Sequence, residues 1–107
     1  MDLSQALQAL QSGRAIWRKH AQERMFERGF LRRDVLQLIE RGQIIEDYPD
    51  ARPFPSSLVH AVLSGRPLHT VIAWDGADQT AYVVTVYEPD LCHFEADFKT
   101  RRQKTDV

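Results

Sequence analysis

At Gly42 the hydrophobic period of this chain changes from that of a helix to that of a strand, and the change limits the folds open to it. Before Gly42, Leu3, Ala6, Leu7 and Leu10 recur at helical spacing, which predicts a short amphipathic helix over residues 2–11, ended by Ser12-Gly13. Ala15-Ile16-Trp17 reads as a small strand or an extended link. A second helix is expected over residues 20–28, stopped by Gly29. A third starts near Arg32. Asp34 sits in its first turn, where a carboxylate suits the helix dipole, and Val35, Leu36, Leu38 and Ile39 form its buried face. After Gly42 the pattern gives strands over residues 43–48, 57–63, 68–74 and 80–87, separated by a proline-rich loop, a Ser64-Gly65-Arg66-Pro67 turn and an Asp75-Gly76 hairpin. Leu91, Phe94 and Phe98 share one side of a last expected helix over residues 91–102. This order predicts an α+β domain, with N-terminal helices packed on a four-stranded antiparallel sheet and a C-terminal helix.

A chain of 107 residues is expected to form one domain. Residues 1–12 read as an N-terminal helical extension and residues 90–107 as the C-terminal helix with a basic tail. Cys92 is the sole cysteine, which excludes an internal disulfide and fits a reducing compartment. The N-terminus lacks a basic stretch followed by an apolar one, so no signal peptide is expected. The longest apolar runs, such as Val71-Ile72-Ala73-Trp74, fall far short of the roughly 20 residues of a membrane span. These features predict a cytoplasmic protein without a membrane partner.

The net charge of −1 conceals a strong asymmetry. Residues 13–33 carry seven basic and two acidic side chains, residues 34–98 three basic and eleven acidic, and residues 99–107 four basic and one acidic. A near-neutral protein with a basic helical half can hold a polyanion locally, whereas a solvated charged surface is the plainer reading.

His20, Arg24 and Arg28 are four residues apart and fall within about 80° of one another on a helix, beside the core-facing Ala21 and Met25. Two guanidiniums on one stripe can hold a phosphate, with a histidine for proton transfer. The alternative is a surface helix whose cations are neutralised by Glu23 and Glu27. On the strands, alternation gives His60, His69, Thr85 and Tyr87 as polar groups on the sheet face away from the helices. A strand histidine is more often a hydrogen-bonded structural residue than a catalyst. Arg66 precedes Pro67 in a turn, as a turn residue or an anion ligand. No zinc-binding cysteine set, His-Glu-x-x-His, glycine-rich phosphate loop or Gly-x-Ser-x-Gly elbow occurs, so neither metal nor cofactor is expected.

Lys19-His20-Ala21-Gln22-Glu23-Arg24-Met25-x-Glu27-Arg28-Gly29, Tyr48-Pro49, Pro53-Phe54-Pro55-Ser56, Gly65-Arg66-Pro67-Leu68-His69 and Thr85-Val86-Tyr87-Glu88-Pro89 together resemble a bacterial and archaeal family of domains of unknown function. Its members are often encoded beside an antitoxin with an MqsA-type zinc finger. The resemblance covers residues 19–89. The layout is also similar to the BrnT toxins of the RelE-like ribonuclease superfamily, which implies helices on an antiparallel sheet, a toxin–antitoxin role and an antitoxin partner.

Three readings follow. In the first, the chain is a toxin-like, metal-independent endoribonuclease that cleaves RNA by attack of its own 2′-OH. His20 or His69 is then the base, Arg24, Arg28 and Arg66 the phosphate clamp, and Tyr87 a hydrogen-bond donor or acid. In the second, the same basic helix docks RNA or a protein without chemistry. In the third, the stripe makes ion pairs in a structural partner protein. The N-terminal helix could serve a second copy of the chain or another partner.

Overall fold

The computed structural model describes residues 1–102. The elements run α1 (Leu3–Gln11), β1 (Ala15–Trp17), α2 (Lys19–Arg28), α3 (Arg32–Arg41), β2 (Gln43–Tyr48), β3 (Ser56–Leu63), β4 (Arg66–Asp75) and β5 (Thr80–Tyr87). Local chemistry sets the helix ends. The Asp2 carboxylate accepts from the Ser4 amide at 2.9 Å and opens α1. Gly29 adopts φ 72°, the left-handed conformation that closes α2, and lets the Phe30 amide reach the Met25 carbonyl at 2.8 Å. The Asp34 carboxylate reaches back to the Leu31 amide at 2.7 Å and fixes the start of α3.

The sheet has five strands in the order β1-β5-β4-β3-β2. β2 to β5 form antiparallel pairs, but β1 lies parallel to β5, with Ala15 opposite Ala81 and Trp17 opposite Val83. The expectation of a four-stranded, wholly antiparallel sheet of the RelE or BrnT kind is therefore corrected: the sheet is mixed and five-stranded. The toxin–antitoxin and ribonuclease labels taken from that topology lose their footing with it. The cause is the Ala15-Ile16-Trp17 triplet, too short to show a period, which closes the free edge of β5 only at its start.

One sheet face packs on the helices. Ala6, Ala9 and Leu10 of α1, Ala21 and Met25 of α2, and Val35, Leu38 and Ile39 of α3 form one core with Val59, Ala61, Leu68, Ile72, Ala81, Val83 and Val86. Burying each of the larger aliphatics contributes about 1.5–3 kcal/mol, so α1 is an integral part of the core. A one-residue irregularity in β5 decides which side chains join it. Ile72 pairs with Val83 but Val71 with Thr85, so Val83 and Val86 both point to the helices, which strict alternation forbids.

Residues 90–102 cover the other face, and the helix expected over residues 91–102 does not form. Its aspartates bind nearby amides instead. Asp90 accepts from the amides of Cys92 and His93 at 2.9 and 3.0 Å, and Asp97 from those of Lys99 and Thr100 at 2.9 Å each. Phe98 adopts φ 56°, incompatible with a continuing helix. Phe94 is the apolar anchor of this strap, 2% exposed. The expected basic tail, residues 99–107, is described as far as Arg102, and residues 103–107 lie outside the described residues.

Candidate functional site

β1 pairs with β5 only as far as Val83, so the outer edge of β5 beyond that point has no strand neighbour. α2 begins two residues after β1 and runs past this edge, while the strap forms the opposite wall. Between them lies a cavity of 350 Å³ lined by Arg24 and Arg28 from α2, by residues 85–89, and by Asp90, His93, Phe94 and Arg101 from the strap.

Arg24 and Arg28 are exposed and make no ion pair among the described residues. The neutralised stripe weighed from the sequence is thus not what forms. Glu23 instead lies 4.0 Å from Lys19. Other charges at the groove are partnered. Glu88 pairs with Arg66. Arg101 donates to both carboxylate oxygens of Glu46, at 3.0 and 3.1 Å, and its guanidinium lies 4.9 Å from the Phe94 ring centroid. The bond from Arg101 holds the Glu46 carboxyl below the usual carboxylate range.

Tyr87 forms part of the groove floor and ties it to a buried histidine pair. His69 is fully buried, and its Nε2 lies 2.7 Å from the Phe98 carbonyl oxygen and 3.1 Å from His60 Nδ1. A carbonyl can only accept, so Nε2 carries the proton and Nδ1 is an acceptor. The Tyr87 hydroxyl, 3.2 Å from Nδ1, then donates to it. Burial pushes His69 down to about 4, with the Phe98 carbonyl working in the opposite direction, and burial likewise lowers His60. Burial raises the Tyr87 phenol. Both histidines are therefore neutral at pH 7, and Tyr87 keeps its proton.

Of the residues singled out from the sequence, Arg24, Arg28, Thr85 and Tyr87 line one groove. His20 is exposed on the same helix but does not line it. His69 does not line it but touches Tyr87 and Phe94, which do, and His60 lies behind His69. Arg66 stands outside, paired with Glu88 and stacked 5.0 Å from the Phe30 ring centroid. Asp90, His93, Arg101 and Glu46 escaped the sequence reading. His93 Nδ1 lies 2.8 Å from the Asp90 carboxylate, which the ring and two backbone amides hold below its usual range. The Asp90-x-x-His93 spacing after a strand-ending proline was the available signal, hidden by reading residues 91–102 as helix.

Among the described residues, no group of three or more histidine, cysteine, aspartate or glutamate side chains is placed to hold a metal ion. No helix there is long and apolar enough to cross a membrane. A family model described as Domain of unknown function (DUF4258) matches residues 17–88, which include the last residue of β1, both groove arginines and Tyr87. No curated protein and no solved structure matches the chain.

Proposed function

The chain belongs to the DUF4258 family of domains of unknown function, and from that premise we propose that its groove binds the phosphodiester backbone of single-stranded RNA. The observation that carries this reading is the pair Arg24 and Arg28, two cations one helical turn apart, without carboxylate partners among the described residues and facing a common cavity. A guanidinium presents a planar fork of donors matched to two phosphate oxygens. At 350 Å³ the cavity has room for a ligand of about nucleotide size.

Binding is the part of this reading that the two arginines carry by themselves. Cleavage by the RNA's own 2′-OH needs a base within reach of the ligand. Of the two bases nominated from the sequence, His20 does not line the cavity and His69 stands behind Tyr87 and Phe94, so the imidazole that does line it, His93, is the base a cleavage reaction would have to use. The test is fluorescence anisotropy with a short labelled single-stranded RNA at low salt. The wild type is expected to bind, and Arg24→Ala/Arg28→Ala to bind at least tenfold more weakly. Equal binding by the two would remove the groove as the site. RNA fragments ending in a 2′,3′-cyclic phosphate, formed in the presence of chelator, would replace binding alone by catalysis.

A further inference from the structure

We propose that His93, oriented by Asp90, is a third ligand of the phosphate held by Arg24 and Arg28, and that its protonation tightens the grip of the groove on that phosphate. The inference rests on the phosphodiester-binding reading and adds to it a residue from outside the stretch matched by the family model.

The geometry carries the argument. Asp90 is fixed by three donors: the amides of Cys92 and His93 at 2.9 and 3.0 Å, and His93 Nδ1 at 2.8 Å. A carboxylate can only accept, so Nδ1 carries a proton. The other nitrogen, Nε2, bonds no protein group among the described residues, and the side chain is 69% exposed while lining the groove. Asp90 thereby stops the ring from turning and leaves Nε2 for a ligand. A neutral imidazole offers a phosphate only a lone pair at Nε2, which repels it. The imidazolium offers a charge-assisted donor. In the charged form the ring is a cation placed where an anion binds.

The other charged and titratable groups at the groove do not duplicate this change. Arg24 and Arg28 from α2 and Arg101 from the strap stay positive throughout the range in which histidine titrates. From β5, Tyr87 stays protonated, and Glu88 is held by Arg66. Asp90 stays ionised. His20, one turn before Arg24 but outside the groove, is the rival source of a pH effect.

The experiment measures the Kd of the full chain for a short fluorescein-labelled single-stranded RNA between about pH 8 and about pH 5.5, with circular dichroism confirming the fold at each pH. The wild type is expected to bind about tenfold more tightly at the acidic end, the gain from one added charge-assisted hydrogen bond. His93→Gln, which keeps a partner for Asp90 but never becomes charged, is expected to lose that gain, and His20→Gln to keep it. Asp90→Asn retains an acceptor for the two amides without the charge and should shrink the gain. Binding by the wild type with no acid gain, a gain preserved in His93→Gln, or a gain lost in His20→Gln would overturn the role of His93 and leave the arginine site standing. No binding at either pH would remove both.

Discussion

Tyr87 and His69, on neighbouring strands at paired positions, share a hydrogen bond in which the phenol donates to Nδ1 at 3.2 Å. The direction follows from the far side of the ring, where Nε2–H is committed to the Phe98 carbonyl. One neutral imidazole thus joins the groove floor to the strap that forms the groove's wall. The bond also turns the tyrosine proton away from the ligand space. Tyr87 is better suited to setting the floor of the groove than to giving up a proton.

That arrangement predicts acid lability. In the unfolded chain His69 takes a proton near its ordinary value of 6.5, but in the folded protein only at about 4. Between those values the unfolded state binds more protons, so falling pH favours unfolding. The contribution is fully present above pH 6.5, declines as pH falls, and reaches roughly 3 kcal/mol of lost stability at about pH 4. His60, also lowered by burial, acts in the same direction. Urea denaturation from pH 7.5 downward should show this slope, and His69→Gln should flatten it at some cost in stability at pH 7.5. A slope unchanged in that variant would mean that His69 is charged in the fold.

How far the sequence reveals this site depends on register. Alternation grouped His60, His69, Thr85 and Tyr87, because period two is visible within each strand. Their convergence depends on pairing His60 with His69 and His69 with Tyr87, which no single strand encodes. The same limit hid the irregularity at Val84, since an extra residue in β5 shows only against its partner. β1 has three residues and pairs with a strand at the far end of the chain, so neither length nor neighbourhood marks it. In the strap, the spacing of Leu91, Phe94 and Phe98 imitates a helix, while Asp90 and Asp97, whose side chains compete for backbone amides, carried the opposing signal.

Gly42 marks the change of period because nothing larger fits there. A methyl group on its Cα would lie 2.3 Å from the Leu38 carbonyl oxygen, 2.7 Å from Val59 Cγ1 and 2.9 Å from the His60 carbonyl oxygen. Its φ of −85° is open to any residue, so the demand is for space. Two of the three obstacles are backbone and cannot turn aside. Gly42→Ala is expected to destabilise the protein by about 2 kcal/mol or more, read as a lower urea midpoint with unchanged slope. A midpoint equal to that of the wild type would show that α3 and β3 separate easily.

The strap depends on Arg101. This side chain joins Glu46 at the outer strand of the sheet to the Phe94 ring, and Phe94 in turn packs edge-on against His69 with ring centroids 4.7 Å apart. Arg101 is about half exposed, so its ion pair is worth only on the order of 1 kcal/mol. Local opening should be more sensitive than global stability, because residues 90–102 contain no helix or sheet strand. Arg101→Ala is expected to raise amide exchange over residues 90–102 several-fold while β3 and β4 keep their protection. Uniform acceleration across the sheet would show that strap and sheet open only together.

Salt dependence tests whether position or total charge governs RNA binding. Each phosphate neutralised on a single strand releases counterions and contributes about −0.7 to the slope of log affinity against log salt. If Arg24 and Arg28 each engage one phosphate, replacing both with alanine should flatten the slope by about 1 to 2 units. Arg41 at the end of α3 is an exposed cation that does not line the groove. Arg41→Ala removes positive charge without touching the site and should leave the slope nearly unchanged. The contrast matters because residues 34–98 carry a net excess of eight negative charges, which repels a polyanion everywhere except at a local cationic site. Equal flattening by all three substitutions would mean that the helix attracts RNA only through its general field, and the groove would then have no special claim on a phosphate.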